Sequence, residues 1–147
     1  MQDQGRQLTE EDARESLQNH IQVKAGEARA KYGADIGYAE ILEMLADREV
    51  VRYPVKTVFA CDALQEGEFA FVQPIGTSPS EGFILHIHPA FENRKEDLPL
   101  LIAYQLVVIN YGDIATGTDA ELFGATLLGI EVDSYYERLC TLTDSLS

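Results

Sequence analysis

Two of the three histidines in this chain, His86 and His88, stand two residues apart in the stretch Phe83-Ile84-Leu85-His86-Ile87-His88-Pro89. Side chains at i and i+2 of an extended strand share a face, so both imidazoles are expected to point the same way. A neutral imidazole pair can hold zinc, iron or manganese once further ligands join it. Glu92, Asp97 and His20 could supply those ligands, although none stands at a diagnostic spacing from the pair. The same face can instead take an anion. With three strands running as a meander in chain order, the even-numbered face carries Arg52, Lys56, Glu68, His86 and His88. Arg52, Lys56, His86 and His88 would then form a site for a carboxylate or phosphate ligand. Without a ligand these residues read as a solvated sheet face with a Lys56–Glu68 cross-strand pair, which contributes little.

The tetrad His86-x-His88-Pro89 resembles the JAMM/MPN+ metal-dependent isopeptidases. In that family two motif histidines and a downstream aspartate hold zinc, and a separate glutamate activates water. The resemblance covers four residues. The family's Ser-x-x-Asp would fall at positions 96 and 99, where this chain has Glu96 and Pro99, with Asp97 out of register. The upstream glutamate has no counterpart that can be placed.

Other chemistries find less support. There is no Gly-x-Ser-x-Gly elbow around Ser78 or Ser80, no phosphate loop and no dinucleotide fingerprint. Cys61 and Cys140 are too few and too far apart for a metal knuckle or a disulfide framework, and read as reduced thiols. Ala125, Gly129-Ile130 and Val132 have the spacing of a helix-turn-helix. The helix that would enter DNA, however, starts at Asp133 and carries three acids against one arginine. The whole chain has 11 Lys+Arg and 25 Asp+Glu, a net charge of −14. Such a surface repels phosphate backbones and anionic lipid heads, so nucleic acid and membranes are excluded as expected partners. A basic protein partner or a cation fits it.

At 147 residues, 46% of them hydrophobic, the chain is long and apolar enough for one core. The longest apolar run, Leu98 to Ile109, is broken by Pro99, Tyr104 and Gln105 and is too short to span a bilayer. The polar start lacks the apolar core of a signal peptide, which gives a cytoplasmic expectation.

The elements that must position these residues follow from periodicity. Residues 1–8 read as a frayed end, and 9–147 as a single α+β domain. Thr9 caps a helix with acids in its first turn and apolar residues from Ala13 to Ala28 at helical spacing. Asp35 reads as the cap of a second, short helix with Tyr38, Ile41, Leu42 and Leu45 on its stripe. Alternation then marks strands around Val51–Cys61, Phe69–Gln73 and Phe83–His88, which short connections arrange as an antiparallel meander. The odd-numbered face, with Val51, Val55, Phe59, Phe69, Phe71, Phe83, Leu85 and Ile87, is expected to be covered. A C-terminal helical region packs on it: an apolar helix from Leu98 to Tyr111 behind Asp97, a helix behind the capping box Thr118–Glu121, and a last helix capped by Asp133.

With no catalytic constellation complete, the leading expectation is a non-catalytic binding or adaptor protein that self-associates or takes a protein partner. Its support is the seven tyrosines and the aromatic end around Tyr135 and Tyr136. The alternative is a small metal- or anion-dependent enzyme built on His86 and His88.

Overall fold

The order of elements is helix, helix, three strands, three helices. It is seen in a computed structural model that describes residues 9–146. The expected frayed segment 1–8 lies outside the described residues. Helix α1 (Glu10–Tyr32) begins where Thr9 and Asp12 cap one another reciprocally. Helix α2 (Tyr38–Leu45) starts at Gly37, whose amide is held by Glu40, and not at Asp35. Strands β1 (Val55–Phe59), β2 (Ala70–Pro74) and β3 (Phe83–Ile87) precede α3 (Leu98–Tyr111), α4 (Gly117–Leu128) and α5 (Val132–Asp144). Among the described residues no helix is long and apolar enough to cross a membrane.

The α+β class holds, but the sheet is mixed and is not a meander. Its order is β1-β3-β2, with β1 parallel to β3 and β2 antiparallel to it. Proline explains which strand takes the centre. Pro54 precedes β1 and Pro74 ends β2, and a residue without a ladder donor belongs at an edge. Strand β3 contains no proline, and its Leu85 and Ile87 are fully buried.

The register of the β2–β3 pair sets the face of β2. Residues opposite one another in an antiparallel pair share a face. Ala70 opposes Ile87, Phe71 opposes His86 and Val72 opposes Leu85. Ala70 and Val72 therefore enter the core, while Phe71, expected inside, is 39% exposed beside His86. Val55, Phe59, Phe83, Leu85 and Ile87 keep their inward assignment, and Val51 is buried ahead of β1.

The C-terminal helices cover that inner face. Leu101, Ile102, Leu106 and Val107 of α3 are buried all round, as an apolar helix at the centre requires. Helix α4 packs between α1 and α3. Its cap is Thr116 with Asp119, two residues before the expected Thr118 box. The helix ends at Gly129, whose left-handed φ of 69° suits glycine. There the Arg29 guanidinium of α1 reaches over the turn to the Leu127 carbonyl. Helix α5 starts at Val132 behind Glu131 and without a side-chain cap hydrogen bond, two residues earlier than the Asp133 cap predicts.

The α1 end is tied to the α2–β1 turn by charge. Asp47 accepts from Lys31 at 2.7 Å, from the Tyr32 hydroxyl at 2.7 Å and from the Glu49 amide at 2.9 Å. The Lys31 hydrogen bond, then that of Tyr32, holds the Asp47 carboxyl at about 2, below its ordinary 3.8. A depressed carboxyl contributes stability above its unfolded value and loses it as pH falls through the folded one. Asp47→Asn is therefore expected to lower urea stability at pH 5 to 7. The gap to wild type should close between about pH 4 and pH 2. A gap independent of pH would mean that the charge of Asp47 contributes nothing.

Candidate functional site

The residues singled out by sequence do not converge. His86 lies on the outer sheet face, its Nε2 2.8 Å from Gln73 Oε1 and its ring stacked on Phe71. Strand β3 ends at Ile87, so His88 leaves the pleat. Its Nδ1 accepts the Ala90 amide at 3.0 Å, which caps the short turn Pro89–Phe91, and its ring sits edge-on to Phe91. That bond places the imidazole proton on Nε2. Lys56 shares the outer face with His86 and is exposed. Glu92 is exposed, and Asp97 accepts from Arg94 at 3.0 Å. His20 packs on Tyr111, away from the other two histidines. Among the described residues no group of three or more His, Cys, Asp and Glu is arranged to hold a metal ion.

Arg52 belongs to another surface. Its amide donates to Asn110 Oδ1, its guanidinium donates to the Asn110 carbonyl, and it stacks 4.8 Å from the centre of the Tyr111 ring. Lys24, Lys31 and Arg48 line the same cleft of about 450 Å³. Each already has a partner: Glu27 for Lys24, Asp47 and Glu49 for Lys31, and the Leu45 and Val51 carbonyls for Arg48. This cleft is a tie between elements more than an open cationic site.

Among the described residues the buried side-chain atoms without a hydrogen-bond partner are His86 Nδ1 and Asp119 Oδ1, and unpaired backbone groups lie along β2. In β2 the odd residues pair with β3: the Phe69 carbonyl accepts from His88 and the Ile75 amide donates to Gly82. The backbone N–H and C=O groups of Ala70 and Val72 therefore point away from the sheet, at its open edge. A cleft opens between β2 and α3 at each end of the strand. One, of about 370 Å³, is lined by Glu68, Phe69 and Ala70 with Tyr104, Gln105, Glu121 and Tyr136. The other, of about 570 Å³, has Phe71, Val72 and Pro74 on one side and Val108 and Ile109 on the other. No lysine or arginine lines either cleft.

The electrostatics of the first cleft follow from burial. Desolvation raises the Glu121 carboxyl above its ordinary value, and no cation among the described residues pairs with it. Burial likewise raises Tyr104, and the Cys140 thiol beside Tyr136 raises that phenol. Both phenols are thus neutral donors at pH 7. The Gln105 side chain, 7% exposed, lines the cleft with no hydrogen-bond partner among the described residues. Its amide atoms keep contact with solvent at the cleft, where a ligand could reach them.

By sequence, Glu121 is a capping residue and Tyr104 and Gln105 are breaks in an apolar run. Those breaks were the available signal, because a helix buried all round has no structural use for a glutamine. Tyr135, expected at the surface, is fully buried, and its hydroxyl donates to the Leu100 carbonyl. Only Tyr136 of that pair is exposed, at 51%. Comparison of the chain with protein-family models, with curated proteins and with solved structures finds no match, so nothing extends the resemblance of His86-x-His88-Pro89 beyond its four residues.

Proposed function

We propose that this protein is a non-catalytic binding module that takes an extended segment of a basic partner protein as a fourth strand on β2. The observation that carries the reading is the open edge at Ala70 and Val72, flanked at both ends by clefts against α3. Strand addition draws affinity from main-chain hydrogen bonds and specificity from pockets for alternate side chains. The clefts lie toward the two ends of the five-residue strand β2, so side chains i and i+4 of an added strand would reach both. Glu68, Glu121 and Asp144 rim one cleft and Asp113 the other. A chain of net charge −14 favours a basic occupant over a second copy of itself.

The test is selection of peptides from a random display library on the immobilised chain. The expected winners bear a basic and an apolar residue four positions apart. Replacing alternate peptide amides by N-methyl amides should abolish binding. Winners that bind equally well after N-methylation, or no enrichment over a blank surface, would contradict the reading. A concentration-dependent dimer in light scattering that competes with the peptide would make a second copy the occupant.

A further inference from the structure

We propose that the cleft between β2, α3, α4 and α5 is an anchor pocket for the lysine or arginine side chain of that added segment. The inference rests on the strand-addition reading and specifies its recognition. Three aromatic rings, Phe69, Tyr104 and Tyr136, line the cleft. A ring face attracts an ammonium or guanidinium group, and more strongly where water is reduced. Phe69 and Tyr104 meet edge to face at 6.1 Å, which turns ring surface toward the space beside them.

Glu121 supplies the countercharge. It projects from α4 into the cleft, partly buried, and no lysine, arginine or histidine among the described residues forms an ion pair with it. Glu68 and Asp144 stand at the mouth. Gln105, nine-tenths buried as a residue and without a hydrogen bond among the described residues, reaches the cleft with its amide and completes the set with an oxygen that can accept from an N–H donor. A carboxylate, an amide oxygen and aromatic walls satisfy an organic cation. They suit an anion poorly, since the cleft offers it no positive charge. A bare divalent ion would need three close ligands, and the described residues offer no such group here. The volume of about 370 Å³ is at the small end of ligand pockets, suited to one side chain.

The experiment is an NMR titration of the full chain with N-acetyl-lysine-methylamide, its arginine counterpart and the isosteric norleucine compound. Lysine and arginine compounds are expected to shift the Gln105 side-chain amide and the Ala70 and Tyr104 signals, and norleucine not. Glu121→Gln should weaken the response about tenfold, as loss of one charge-assisted hydrogen bond does. Tyr136→Leu, at an exposed position, should weaken it severalfold with the fold intact. An equal response to norleucine, or no response up to about 50 mM, a level at which pairings this weak are still visible, would overturn the anchor. In the peptide arm, library winners whose lysine tolerates norleucine would overturn the anchor and leave strand addition standing. Winners that lose affinity with norleucine but tolerate N-methylation would keep the anchor and remove strand addition.

Discussion

Gly124→Ala is expected to destabilise the protein by about 3 kcal/mol, although alanine normally favours a helix interior over glycine by about 1 kcal/mol. The reason is local. A Cβ at Gly124 would overlap the ring carbon and hydroxyl oxygen of Tyr135, which crosses beneath α4. Tyr135 is fully buried, and its hydroxyl bonds to the Leu100 carbonyl, so it has no space to retreat. Overpacking at such a site forces backbone shifts. Urea denaturation measures the effect, and a double-mutant cycle with Tyr135→Leu assigns it. With leucine at 135 the alanine at 124 should cost far less. A cost independent of residue 135 would contradict the overlap. The consequence reaches the cleft, because this contact sets α5, and with it Tyr136 and Cys140, against α4 and Glu121.

Asn110→Ala is the second large effect, expected at about 2 to 4 kcal/mol. Asn110 sits in the last turn of α3, 7% exposed. Its Oδ1 accepts the Arg52 amide and its Nδ2 donates to the Val50 carbonyl, both at 2.9 Å. One side chain thus satisfies two backbone groups of the segment that leads into β1. Alanine leaves both without this partner in a part-buried setting, where each lost hydrogen bond costs about 1 to 2 kcal/mol. Asn110→Asp keeps the acceptor but sets a carboxylate oxygen against the Val50 carbonyl. It should be as damaging as alanine at pH 7 and partly recovered in acid, where the protonated carboxyl can donate. A cost below 1 kcal/mol for both variants would mean that the β1 lead-in is held by other contacts.

Much of the fold was legible because local rules decided it. The Thr9 cap and the buried α3 follow from capping and periodicity acting over a few residues. Strand order was not, because it depends on which strands avoid the centre. Its signal is Pro54 and Pro74 taken together. Reading both would have placed β3 in the middle. Phe71 falls outside because the β2–β3 register sets odd residues opposite even ones, which alternation alone does not give, and the assumed meander gathers Arg52 with Lys56 and the histidines. The candidate cleft was harder still. Its members come from positions 68, 104, 105, 121 and 136, on the lead-in to β2 and three helices, with no spacing to relate them. Tyr104 and Gln105 were visible as polar breaks in an apolar helix, but what faced them was set by packing alone.

The central claim is that β2 receives another strand, and its own amides report it most directly. The full chain, bound to a peptide from the display selection, should show slowed hydrogen exchange and large shifts at the Ala70 and Val72 amides. The odd-numbered amides of β2, already paired with β3, should change little. Protection confined to the outer sheet face around His86, or to the Arg52 cleft, with Ala70 and Val72 unchanged, would contradict the account.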